Sequence, residues 1–372
     1  MKFVRNVLPR LVLTVVFLSI LFASAAFAAG FTTVDGQKYL KDEKGENITG
    51  WLDEDLMPLG STCDGWKQAT YYLQPDGTLA IDKWLQIEVT DPEMANQNQT
   101  YWFYFMNSGK KVHNDGDKAC KERRIGDKYY AFADDGHMLT GWVDTVGDAE
   151  TAADMRYYNE DGSRQGKGWF RAIPSKQFDE LAHNDEQPAW FYASDNGKIF
   201  HNAIKTINNK KYLFDYGGPM VSGLVFVSFN TDPATEPAGV QSINNGDELE
   251  SIKGSGSGDD KTGLYYFGDE ATDGAMKYGH HVLQIDGQPV EFFFKKSGKN
   301  AGKGVTGIEG GKYYVDGVIE KADKDAKYEV VTLDNDKEFL LSSTGAAITS
   351  GTRTDGDGVK WRVKNWHVEQ VN

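Results

Sequence analysis

An aromatic pair, then a turn glycine, then often Gly-Trp, recurs along this chain. The clearest copy is GDKYYAFADDGHMLTGW at 126–142. Related copies are DGQKYLKDEKGENITGW at 35–51, MRYYNEDGSRQGKGW at 155–169, GLYYFGDEATDGAMKYG at 263–279 and GGKYYVDG at 310–317. QATYYLQPDGTLAIDKW at 68–84 has Lys83 where others have glycine. Self-similarity at a period of roughly 20 to 50 residues signals a repeat architecture. Aromatic residues make up 13% of the chain and there are 41 glycines, so the core is built from rings and turns. That composition favours many short strands over helices.

In the clearest copy, side chains of strand 128–132 alternate faces. Asp134-Asp135-Gly136 supplies the turn, residues 137–139 begin a return strand, and Gly141-Trp142 closes the unit. Glycine suits the positive φ of hairpin turns. One hairpin is marginal in water, so stacked hairpins must bury rings between neighbours. The expected fold is therefore all-β, an elongated solenoid of stacked β-hairpin repeats with irregular loop insertions. Segments 52–65, 86–99, 144–154 and 171–188 read as insertions, and 172–184 as holding a short helix.

Residues 1–28 read as a secretory signal peptide. Lys2, Arg5 and Arg10 precede an apolar core, and Ala26-Phe27-Ala28 suits cleavage. The alternative is an uncleaved anchor, for which the core is short. A Trp-rich array at 30–228 and a Tyr/Phe-rich array at 262–372 flank residues 229–261, a linker or long insertion rich in Pro, Asn, Gly and Ser. Residues 359–363 alternate cleanly and read as a terminal capping strand. Cys63 and Cys120 either pair or stay free thiols. Export permits pairing, and a loop of that size would add roughly 4 kcal/mol.

The formal charge of −15 becomes three units more negative once the leader is removed. That argues against nucleic acid, whose binding rests on neutralised phosphates. It favours cationic ligand groups, or serves solubility alone. Gly302 to Gly307 satisfies GxGxxG, but another hairpin follows instead of the helix a nucleotide site needs. No HExxH or G-x-S-x-G occurs, and neither cysteine sits in a nucleophile signature. His280-His281 point to opposite strand faces, and the Asp/Gly runs at 114–117 and 355–358 read as turns. No catalytic residue, metal site or cofactor is expected.

The aromatic pair, the following glycine and the closing Gly-Trp resemble the bacterial cell-wall-binding repeat superfamily. It includes pneumococcal choline-binding repeats, streptococcal glucan-binding repeats and the repetitive oligopeptides of clostridial toxins. The resemblance implies noncatalytic attachment to choline-substituted teichoic acid or to glucan or peptidoglycan glycans. The protein would be secreted and surface-associated, with no membrane contact after cleavage. Carried onto this sequence, the aromatic cages would set Trp51 against Trp66 or Tyr71, and Trp84 against Trp102 and Tyr104. Trp142 would face Tyr157 or Tyr158, and Trp169 would face Trp190 and Tyr192. The links between Gly-Trp and the next aromatic pair are longer here than in choline-binding repeats. Units that close with Gly279-His280, Gly304-Val305 or Gly351-Thr352 lack the indole and would be structural. The alternatives are a surface adhesin or interaction rod presenting its insertions to a protein partner, and an enzyme with a site among them.

Overall fold

The Gly-Trp segments at 50–51, 141–142 and 168–169 each open a strand that pairs with the aromatic strand that follows it. The computed structural model describes residues 30–371, except 60–63, 92–96, 117, 231–235, 257–260, 270–272 and 334. The leader and Cys63 lie outside the described residues. Gly50–Leu52 pairs antiparallel with Tyr71–Leu73, Gly141–Asp144 with Met155–Tyr158, and Gly168–Ala172 with Ala189–Ala193. The hairpin expected within 126–142 is thereby shifted. Its aromatic strand Lys128–Phe132 pairs with the preceding strand Lys121–Ile125. The return segment after the Asp-Gly turn adds one bridge, Phe132 to Met138.

The return segment has another task. Consecutive amides of an extended chain point in opposite directions. The Met138 amide donates back to the Trp102 carbonyl (2.8 Å), whereas the Leu139 amide donates to Ala131 of its own hairpin (2.8 Å). The stitch recurs as Arg164 to Tyr129 with Gln165 to Tyr157, and as Met276 to Lys211 with Lys277 to Tyr266. It supplies the backbone continuity that isolated hairpins lack. Turn glycines complete it. Gly162 has φ +77°, and a Cβ there would stand 2.0 Å from the Met138 sulfur. Gly197 approaches Arg164 and Gly218 approaches Ile199 in the same way.

The chain forms two compact units. The first comprises the described residues up to Gln99 together with Phe105–Lys111; the second comprises Thr100–Tyr104 and Val112 onward. In the first, Leu40, Leu52, Leu73 and Leu79 form the core. In the second, small antiparallel sheets follow one another, and the buried clusters join residues of neighbouring sheets. Helices are few and short; one, Glu180–Asn184, lies in the insertion at 171–188, with Asp179 capping it.

The described residues of 229–261 are built into the second unit. Pro237–Ser242 pairs with Gly223–Phe229, whose other edge pairs with Thr262–Phe267. The helix Gly246–Ile252 buries Leu249 and Ile252 against Leu224, Leu264, Phe292 and Phe294. The Asn245 side chain caps it by accepting from the Glu248 amide. This segment joins strands of both expected arrays into one core. Lys360–Lys364, over the strand expected at 359–363, is the middle strand of the last sheet, between Gly351–Thr354 and His367–Val371. Val363 is buried against Leu340 and Val368. Cys120 is a buried free thiol, pushed up to about 11 by burial and then by the charges of Glu122 and Asp144.

One source of acid sensitivity is a cross-link in the second unit. Asp273 accepts from Lys277 (2.6 Å) and from Lys210 on strand Lys210–Phe214 (3.0 Å). The Lys277 contact, with Lys210 behind it, holds the Asp273 carboxyl down to about 2. A carboxyl lower in the folded than the unfolded state stabilises above the unfolded value and loses that contribution as pH falls through the folded one. Stability is therefore expected to drop between about pH 4 and pH 2. Asp273→Asn should flatten that part of the curve, measured by urea denaturation at stepped pH. An unchanged slope would remove Asp273 from the account.

Candidate ligand-binding site

Adjacent residues of a strand face opposite ways, so one hairpin serves two aromatic clusters. In the hairpin of Gly168–Ala172 with Ala189–Ala193, Phe170 lies opposite Phe191 and Trp169 opposite Tyr192. The Phe170–Phe191 face backs the preceding hairpin. There Trp142 stands opposite Tyr157, their ring centroids 5.2 Å apart. Trp142 meets Phe191 at 4.9 Å and Phe170 at 6.1 Å. Its indole N–H donates to the Ile173 carbonyl (2.7 Å), so the insertion at 171–188 fixes the ring.

The other face of the same hairpin builds the second cluster. Trp169 meets its strand partner Tyr192 at 5.2 Å, then Tyr212 at 4.9 Å and Phe214 at 5.7 Å from the following hairpin. Trp142, Tyr157 and Trp169 are half-buried, whereas Phe191 and Phe214 are fully buried. Each cluster is thus a partly open indole over a closed phenylalanine floor; the phenol beside it is half-buried at Tyr157 but buried at Tyr192 and Tyr212. Burial raises the Tyr157 phenol, with Glu160 adding to the effect, so it stays a neutral face.

A third cluster, in the first unit, repeats the arrangement with different partners. Trp51 lies opposite Tyr72, 4.7 Å away, and 6.2 Å from Phe105. Neither expected partner takes that place. Trp66 is buried in the short helix Gly65–Gln68, its indole donating to the Thr90 carbonyl (3.0 Å). Tyr71 points to the other face and packs edge-on to Phe31 at 5.5 Å.

The remaining expected residues divide. Trp190 lies opposite Arg171, not Trp169, because it is two positions from Tyr192 along the strand. It lines a small pocket with Pro174, Asp179 and Met220. Tyr158 is buried and donates to Glu122 (2.7 Å), away from Trp142. Trp84 stands on Lys83–Asp91 in the first unit, whereas Trp102, 42% exposed, and buried Tyr104 belong to the second. Sequence reasoning missed Tyr72, Phe105, Phe170, Phe191, Tyr212 and Phe214. The signal for Phe170 and Phe191 was the alternation itself: each sits next to a residue assigned to the neighbouring cluster.

Among the described residues, no group of three or more His, Cys, Asp and Glu side chains is placed to hold a metal ion. His280 pairs with Glu291 (3.1 Å), while His281 contacts the Tyr278 carbonyl. Asp355 accepts from the amides of Asp357 and Val359 and from the Trp361 indole, which closes its turn. Residues 302–307 run into strand Gly307–Glu309, not a helix.

No protein-family model matches the chain, and no curated protein matches it. Among solved structures, choline binding protein F from Streptococcus pneumoniae is 17% identical, with 92% of this chain and 99% of that one covered and a TM-score of 0.46. CbpJ from the same organism is 17% identical, with 89% and 99% covered and a TM-score of 0.37. The modular autolysin LytC, also from Streptococcus pneumoniae, is 16% identical, with 86% of this chain and 52% of that one covered and a TM-score of 0.32. At 16–17% identity, choline binding protein F, CbpJ and LytC are solved structures to which this chain is similar.

Proposed function

We propose that this is a secreted, noncatalytic surface-binding protein. Its aromatic sites between hairpins attach it to choline-bearing or glycan polymers of the bacterial envelope. The observation that carries this reading is the pair of clusters at Trp142 and Trp169. Consecutive hairpins repeat one arrangement: a half-buried indole, a tyrosine opposite it, and rings of the next hairpin below. Aromatic faces attract a trimethylammonium group without hydrogen bonds, at about 0.5 to 2 kcal/mol per contact. A pyranose ring also stacks on an indole. The acidic surface raises the local concentration of cations. Hairpins stacked as an elongated solenoid would present such sites in series, and linked weak sites gain avidity without new contacts. No described helix is long and apolar enough to cross a membrane, and the leader at 1–28 would direct export.

The test is tryptophan fluorescence of the mature protein titrated with choline, then with soluble glucans and wall fragments. A saturable shift is expected. Trp169→Ala should weaken binding at its site on the order of tenfold, the equivalent of about 1.4 kcal/mol. Trp366→Ala, in the C-terminal sheet, should leave it unchanged. Circular dichroism must show both variants folded at the titration temperature. Silence with every ligand would sink the reading.

A further inference from the structure

The Trp51 cluster already contains a cation. Lys111 is 2% exposed. Its ammonium donates to the Trp66 carbonyl (2.7 Å) and the Lys67 carbonyl (3.3 Å), and lies 5.4 Å from the Trp51 ring centroid. The residue enters from the return segment, where it bridges Phe105. At the same step of the hairpins facing Trp142 and Trp169, the bridging residues are Ile199, opposite Ala193, and Met220, opposite Phe214. Ile199 packs into the Trp142 cluster and Met220 into the Trp169 cluster. Two of three related clusters therefore hold a neutral side chain where the third holds an ammonium.

A buried ammonium persists where a carboxylate, carbonyls or aromatic rings replace its water. The Trp51 cluster supplies carbonyls and a ring.

We propose that Lys111 is an internal ligand: its ammonium fills the aromatic site of Trp51, Tyr72 and Phe105 and closes that site to external alkylammonium groups. External cations are then left to the Trp142 and Trp169 clusters. This assignment of which sites are open rests on the proposed function, but the occupancy of the Trp51 site does not.

The experiment is chemical rescue in the full mature chain. Lys111→Ala removes three carbons and the ammonium, which propylammonium replaces. Melting curves are recorded for the variant and the wild type with propylammonium and with 1-propanol, its neutral counterpart. The variant should melt lower, and propylammonium should raise its midpoint saturably, by about a few degrees beyond any rise in the wild type. 1-Propanol should not. If Lys111→Ala fails to fold alone, propylammonium and not 1-propanol should restore its circular dichroism. Lys111→Met, which refills the space without charge, should fold and show no rise beyond the wild type. Equal rescue by 1-propanol, or no rescue beyond the wild type, overturns the proposal. The Trp169→Ala titration reads a different unit, so either idea can fail without the other.

Discussion

Replacing Phe191 with alanine is expected to destabilise the protein by about 3–5 kcal/mol. The ring is fully buried and touches both Trp142 and Phe170, with centroids at 4.9 and 5.5 Å. It forms the floor between two hairpins, so the cavity cannot close by moving one surface side chain. Phe191→Leu keeps most of the volume and should cost about 1 kcal/mol. Urea denaturation followed by circular dichroism gives both values. The variant also separates core from site, because Trp142 keeps its Tyr157 partner but loses its floor. Under conditions where the protein stays folded, choline or glycan titration should therefore weaken at Trp142 while Trp169 responds normally. A cost below about 1 kcal/mol for the alanine variant would mean that the rings are not the core of this hairpin pair.

Gly304→Ala should be comparably severe for a different reason. Two backbones cross there. A Cβ on Gly304 would stand 2.3 Å from the Asp316 carbonyl oxygen and 2.9 Å from the Gly317 nitrogen. The Gly304 amide donates to Leu264 (2.7 Å), and the Gly317 amide donates to Val305 (2.8 Å), so neither strand can retreat without losing its bond. A loss of about 3 kcal/mol or more is expected. Gly298 provides the control. Its φ is +87° and its surroundings are open, so Gly298→Ala meets only backbone strain of about 1–2 kcal/mol. Thermal melts of the two variants should differ clearly. Equal melts would show that strain, not the crossing, limits both positions.

Much of this architecture was legible in the sequence because its causes are local. Rings, glycines and Asp-Gly turns recur at short spacing, and a strand with two-residue alternation needs only its own residues to set its faces. The repeat frame, through the resemblance, set Trp142 against Tyr157 or Tyr158 and Trp169 against Trp190 and Tyr192, without choosing between them. The short helix within 171–188 was legible for a similar reason, since Asp179 caps it from one residue away.

What the local pattern could not decide was which two strands pair. Lys128–Phe132 has a turn on each side, and its own residues are equally compatible with either partner. The choice lies with the Met138 amide, which bonds to Trp102, 36 positions earlier. In the same way the strand register sets Tyr72, not Tyr71, opposite Trp51, and sets Trp190 opposite Arg171, two positions along from Trp169. The Pro- and Gly-rich stretch after residue 229 likewise reads locally as a break, yet Leu249 and Ile252 gain by burial against Phe292 and Phe294 from beyond it. The sequence by itself determined short strands, ring-filled interfaces and the repeated indole–phenol pair. The tertiary structure decided the partners, the floors beneath the rings, and the placing of the Lys111 ammonium at Trp51, because these depend on contacts between segments far apart in the chain.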